Sequence, residues 1–213
     1  MEIKKIEKID PEMEVEALAG TGEWYYGMHM WVTMDDVLEA LHSGEELEGT
    51  RLYLIHYPEG TVYEPLPQKD LFYMAQPVWD QGRICILAVD GKRKQIQIYQ
   101  FQPDAGQVSV VMEMPLNRLS EDMWNLKIQT SPLMLTCHKG VKEYEILWPE
   151  SKTIPVTEAE NLICREGERL YFSWSAYESY DEKVIVRNVN TGKKIEEYHG
   201  ELHLMPDGNW WLI

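Results

Sequence analysis

From about residue 50 onward, apolar and polar side chains alternate with a period of two, the pattern of half-buried strands. It is clearest over residues 95–101 (QIQIYQF), 108–114 (VSVVMEM) and 183–189 (KVIVRNV). Turn signals separate such runs at 58–60 (PEG), 90–91 (DG), 104–106 (DAG), 190–192 (NTG) and 206–208 (PDG), as hairpins require. The first 48 residues read differently. Asp10, Pro11 and Glu12 supply a cap, a first-turn proline and an acid, which predicts a helix over 13–18 ending at Gly20. Thr33 with Asp36 forms a capping box, Met34, Val37, Leu38 and Leu41 an apolar stripe, and Gly44 a stop, which predicts a second helix.

Apolar runs opening at Leu52, Ile84, Leu133, Leu170 and Trp210 lie 32, 49, 37 and 40 residues apart. That interval is about the length of a four-stranded propeller blade. The expected fold is therefore all-β, a propeller-like closed repeat of four antiparallel blades, or five if residues 24–32 contribute strands. A short helical N-terminal segment precedes it. One domain spans 1–213, divided into an acidic helical segment (1–48) and a β-repeat body (49–213), with 84–89, 95–101, 107–114 and 125–130 as the clearest blade. The last run, 209–213, lacks following partners and is expected to close the ring beside residues 52–57. A two-sheet β-sandwich is the alternative.

Charge narrows the function classes. Twenty basic and thirty-six acidic residues leave −16, which argues against nucleic acid, whose phosphates need a basic face. Residues 10–64 hold thirteen acids and one base, Arg51. Three quarters of the net charge thus sits in one quarter of the chain. Such a segment either keeps the protein dissolved or steers a basic protein partner. Asp35, Asp36, Glu39, Glu45, Glu46 and Glu48 are the expected contributors to a partner face, and Glu45, Glu46 and Glu48 lack an evident local role. No uninterrupted apolar run approaches the ~18 residues of a membrane span, so no membrane partner is expected.

Cys85, Cys137 and Cys164 are widely spaced and each adjoins apolar residues, which reads as buried free thiols in a reducing cytoplasm. Residues 1–8 carry charge with no apolar run behind them and the sequence holds no Asn-x-Ser/Thr sequon, so no secretory leader is expected. Phosphate-binding loops, nucleophile elbows and helical zinc motifs are absent from the sequence, and no cofactor is expected. One metal candidate stands out: His199, Glu201 and His203 would share a face of an extended strand. They are equally the solvent face of a strand beside a turn, so no metal is assigned. Met28, His29 and Met30 form a weaker set, with the histidine opposite the methionines. Trp79, Trp124, Trp148 and Trp174 are expected in the core, and Tyr25, Tyr26, Tyr177 and Tyr180 at the surface. The leading function is a non-catalytic cytoplasmic interaction module presenting an acidic, Tyr- and Trp-bearing surface to a basic protein. The alternative is a small-ligand or glycan-binding domain, hydrolytic if it gathers carboxylates, with its site at a propeller mouth or between sheets.

Overall fold

The computed structural model describes residues 3–10, 13–29, 33–175 and 182–213. The chain divides into two compact units, Met1–Arg118 and Leu119–Ile213.

The first unit holds two antiparallel sheets. One is β1 (Val15–Ala17), β2 (Trp24–His29), β3 (Arg51–His56) and β4 (Thr61–Tyr63), paired in that order. Between β2 and β3 comes helix α1 (Met34–Ser43). The second sheet contains β5 (Phe72–Met74), β6 (Val78–Asp80), β7 (Arg83–Asp90), β8 (Gln95–Gln102) and β9 (Gln107–Pro115). There β5 pairs with the far end of β7 and β6 with its near end. They act as one outer strand interrupted before Pro77, so this sheet too has four positions. The core beneath both sheets gathers Trp24, Leu52, Leu54, Phe72, Ile84, Ile86 and Phe101. Aromatic rings meet within it: Phe101 lies 5.3 Å from Tyr63 and 6.1 Å from Trp24, the latter edge-on.

The second unit repeats the plan. Strands β10 (Met123–Gln129), β11 (Met134–Lys139), β12 (Glu143–Trp148) and β13 (Lys152–Pro155) form one sheet, and β14 (Glu160–Glu166), β15 (Arg169–Ser175), β16 (Glu182–Asn188) and β17 (Lys194–His199) the next. A two-stranded hairpin follows, β18 (Leu202–Leu204) with β19 (Trp210–Leu212). The core of this unit includes Met134, Tyr144, Ile146, Leu170 and Phe172.

Four successive four-position meanders, each built of neighbouring strands, are propeller blades rather than the two sheets of a sandwich. All five turn signals named above lie between hairpin strands. Several expectations are corrected. The helix over 13–18 is absent: residues 11–12 lie outside the described set, and 15–17 pair as β1 with Gly27, Tyr26 and Tyr25. Met13 and Leu18 are buried at its two ends, so tertiary pairing overrides a one-turn local signal. Residues 24–29 complete the first sheet instead of adding a fifth blade, and β1 and β2 thus belong to the β body. Blade boundaries also shift. The densest apolar runs are the interior strands β3, β7, β11 and β15, not the opening strand of each blade, and residues 125–129 belong to the third sheet. Nor does 209–213 pair with 52–57. Strand β3 already has β2 and β4 as neighbours, and β19 pairs with β18.

Candidate functional site

Helix α1 forms as its sequence predicts. Thr33 is extended (φ −70°, ψ 159°), its hydroxyl accepts from the Asp36 amide at 3.2 Å, and the Asp36 carboxylate accepts from the Thr33 amide at 3.0 Å. These Thr33 donors, the hydroxyl foremost, hold the Asp36 carboxyl below the usual carboxylate range. Gly44 stops the helix at φ 78°, which glycine adopts without strain. Met34, Val37 and Ala40 are buried, and Leu41 packs so closely on Gly91 that an added Cβ there would meet it at 2.7 Å.

The exit from α1 is pinned as well. The Glu45 amide donates to Ala40 O at 3.0 Å, Tyr73 Oη donates to Leu47 O at 3.1 Å, and Gln68 Nε2 donates to Gly49 O at 2.8 Å and to Glu48 Oε1 at 3.1 Å. The structure therefore sorts the six expected acids. Asp36 is occupied as a cap, and Glu48 has a local partner after all. Asp35 is half-buried in the first turn, where it complements the helix dipole. Glu39, Glu45 and Glu46 are exposed, and no ion pair of theirs occurs among the described residues. The result is a small acidic surface on a rigid support.

The histidine candidate separates. His199 ends β17, Gly200 follows at φ 107°, and Glu201 and His203 belong to the next hairpin. One continuous strand was the premise of the shared face, and that premise fails. Glu201 and His203 do meet, at 3.4 Å, and Glu201 shares a hydrogen bond with Glu182 that, ahead of burial, raises the Glu182 carboxyl. Among the described residues no group of three His, Cys, Asp or Glu side chains is arranged to hold a metal ion. His29 is half-buried and Met28 buried, while Met30 lies outside the described residues.

A polar cluster that the sequence did not signal lies inside the second unit. A bulge in β10 between Trp124 and Lys127, with Asn125 at φ 55°, turns Asn125 Nδ2 toward Asn161 Oδ1 on β14, 3.2 Å away. His138 Nε2 meets the same oxygen at 3.1 Å. An amide oxygen only accepts, so His138 carries its proton on Nε2. Its ring stacks on Trp124 at 4.3 Å and meets Tyr144 edge-on. Tyr144 Oη lies 2.8 Å from Thr136 Oγ1, and Gln129 Nε2 donates to Leu162 O at 2.9 Å. His138 and Thr136 are fully buried. The cluster fastens the third sheet to the fourth. The nucleophile candidates are closed: all three cysteines are buried, and burial pushes Cys85 and Cys164 up to about 12.

An open groove of about 760 Å³ lies between residues 5–10 and the first sheet, lined by Ile6, Met13, Val15, Tyr25 and Ile55. Its rim carries Lys5, Lys8, Glu7 and Asp10, and no nucleophile with an adjacent base. The aromatic expectations are also revised. Among the described tryptophans Trp24 is the one fully in the core, while Trp79, Trp148 and Trp174 are half-buried and Trp124 is exposed. Tyr26 is buried with its hydroxyl donating to Glu16 at 2.6 Å, Tyr25 is half-buried, and Tyr177 and Tyr180 lie outside the described residues.

No protein-family model matches the chain, and neither does any curated protein sequence. Solved structures do resemble it. One, from a structural and mechanistic analysis of two prolyl endopeptidases, superposes with a TM-score of 0.53 at 14% identity, covering 89% of this chain and 27% of that one. Oligopeptidase B from Trypanosoma brucei matches with a TM-score of 0.49 at 12% identity (94% of this chain, 31% of that one). Dipeptidyl peptidase 4 from Porphyromonas gingivalis gives 0.44 at 6% (89% and 32%). This chain spans about a quarter to a third of the length of those proteins. The likeness to the prolyl endopeptidase is one of fold, and with the four meanders it makes the fold class a β-propeller type of four blades.

Proposed function

We propose that this chain is a protein-interaction module that uses the acidic surface of α1 and its exit to engage a basic protein partner in the cytoplasm. The observation that carries this reading is the rigid display of Glu39, Glu45 and Glu46. These carboxylates stand exposed on a capped helix and a hydrogen-bonded turn, so binding a cation there costs little ordering entropy. The blade fold fits such a role, since it serves widely as a platform for loops and exposed edges. Three buried free thiols suit a reducing compartment. No helix among the described residues is long and apolar enough to cross a membrane.

The test is stopped-flow association with a fluorescent oligolysine peptide. Glu39→Lys, Glu45→Lys and Glu46→Lys together should slow association about tenfold at low salt, the lower end of electrostatic steering. Glu143→Lys, Glu150→Lys and Glu158→Lys change net charge equally on the other unit and should cost far less. Equal slowing in both triple variants would reduce the effect to overall charge and sink the proposal.

A further inference from the structure

Lys127 stands apart from the other half-buried bases of the second unit. Lys139, Lys152, Arg169, Lys183 and Arg187 each pair with a carboxylate, and Arg165 donates to Gly167 O at 2.7 Å. Among the described residues Lys127 Nζ meets neither a carboxylate nor another acceptor, in a chain with thirty-six acids. Burial pushes its ammonium below the usual lysine range, and no opposing charge holds it up. An ammonium removed from water without a partner is costly. Its place in the sheet is defined by register. Strand β10 pairs Lys127 with Thr136 and Gln129 with Met134, so these side chains share one face. That face looks toward β14: Gln129 Nε2 donates to Leu162 O, and Met134 packs in one core with Leu162 and Phe172. At the other end of the row Asn125 Nδ2 reaches Asn161 Oδ1. Lys127 therefore sits between two ties that join β10 to β14. Asn161 Oδ1 accepts from Asn125 and His138, which directs Asn161 Nδ2 elsewhere, and no acceptor for that nitrogen occurs among the described residues. Two donor groups without acceptors thus lie along one stretch of these strands.

We propose that Lys127 and the Asn161 side-chain amide bind the carboxylate of an acid that carries an aromatic group, with that group against Trp124. One carboxylate oxygen accepts from the ammonium and the other from the amide. Trp124 borders the same end of the row, since it pairs across the strands with His138, whose Nε2 meets Asn161. Its exposed indole is already fixed: Nε1 donates to Gly140 O at 3.0 Å, and one ring face stacks on His138 at 4.3 Å. Receiving a second ring therefore costs it little further ordering. A singly charged group fits better than a phosphate. The chain carries −16, which repels a dianion more strongly, and Lys127 is a point charge without the arginine fork that grips phosphate oxygens. This site lies in the second unit and takes an anion, so it is independent of the acidic surface on α1. A free aryl acid and the C-terminal aromatic residue of a peptide offer the same chemistry.

The test is an NMR titration of the full chain with phenylacetate and, separately, with N-acetyl-Gly-Phe, following the Trp124 indole and Asn161 side-chain amide signals. Both signals should move and saturate together with at least one probe, and the tighter of the two names the source of the carboxylate. Phenylacetamide has the same shape without the charge and should bind about tenfold more weakly or worse, as should phenylacetate to Lys127→Met, each losing one charge-assisted hydrogen bond. Lys139→Met makes the same change of charge at a lysine already paired with Glu143 and should alter affinity by less than about threefold, a screened long-range effect. Without any probe, Lys127→Met should be at least as stable as the parent chain in urea, because it removes a buried ammonium that has no partner. Neither probe moving the two signals, phenylacetamide binding as well as phenylacetate, equal losses in the two methionine variants, or a destabilised Lys127→Met would each overturn the site.

Discussion

The two units bury side chains of different chemistry. In the first, rings and aliphatic chains interlock around Trp24, Tyr63 and Phe101, and Gln97, 1% exposed, donates through Nε2 to Glu113 at 2.6 Å. In the second, polar ties sit deep. Glu160 is 1% exposed and holds Arg187 through two bonds, Nε–Oε2 at 2.6 Å and Nη2–Oε1 at 2.7 Å. The Thr157 amide and hydroxyl both donate to Glu160 Oε1 at 3.1 Å, and Arg187 Nη1 donates to Gly192 O at 3.0 Å. Apolar contacts tolerate approximate fits, whereas each buried polar group demands a named partner. Both units are thus specified by pattern and by pairing, and the second adds the buried Glu160–Arg187 ion pair.

The largest expected effect breaks that contrast at its deepest point. Glu160→Ala leaves the Arg187 guanidinium without its carboxylate and should cost about 3–5 kcal/mol in urea unfolding. Phe101→Ala should cost a similar ~3–5 kcal/mol by opening a cavity. Reversibility separates them: Glu160→Leu combined with Arg187→Met should recover most of the loss, because replacing both charges removes the desolvation cost along with the attraction. If the double variant is no more stable than either single one, the pair is indispensable and the contrast sharpens.

Asn161→Ala comes next. It removes the oxygen that both His138 and Asn125 approach, at about 1–3 kcal/mol for disrupting a buried hydrogen-bond arrangement. Amide exchange should accelerate in β10, β11 and β14 and stay unchanged in the first unit. Exchange unchanged in those three strands would mean the cluster does not fasten the sheets.

The cap of α1 should matter less, with Thr33→Ala costing about 1 kcal/mol. Its pH dependence has a definite sign. The Asp36 carboxyl is lowered from 3.8 in the folded state, so its stabilisation is complete above the unfolded value and is lost as pH falls through the folded one. Thr33→Ala should therefore flatten the acid limb of the melting curve below about pH 4; an unchanged limb would assign acid sensitivity to other carboxylates. The smallest effect belongs to Glu39, Glu45 and Glu46: their joint change to Lys should move stability by no more than about 0.5 kcal/mol per surface site, even while association with a basic peptide slows.

Much of the architecture was legible along the chain because its causes are local. Alternation located β8, β9 and β16, glycine-bearing turns located the hairpins, and Thr33, Asp36 and Gly44 bounded α1 to the residue. The phase of the blades was not legible. Apolar density peaks on strands with a neighbour on both sides, so Leu52, Ile84, Leu133 and Leu170 mark the interior of each sheet and not its start. The acidic surface was visible only in outline, since charge counting cannot tell a capping carboxylate such as Asp36 or a bonded one such as Glu48 from exposed Glu45.

By itself the sequence determined the all-β class, a blade-length repeat read as four or five blades, the capped helix and the concentration of acid in residues 10–64. These follow from periodicity, turn conformation and charge, which act over a few residues. Tertiary structure decided that residues 15–17 form a strand, that β19 pairs with β18, that His199 parts from Glu201 and His203, and that Asn161 meets Asn125 and His138. Each of those outcomes depends on which distant backbone or side chain supplies the hydrogen-bond partner, and partners that many residues apart leave no periodic trace in the chain.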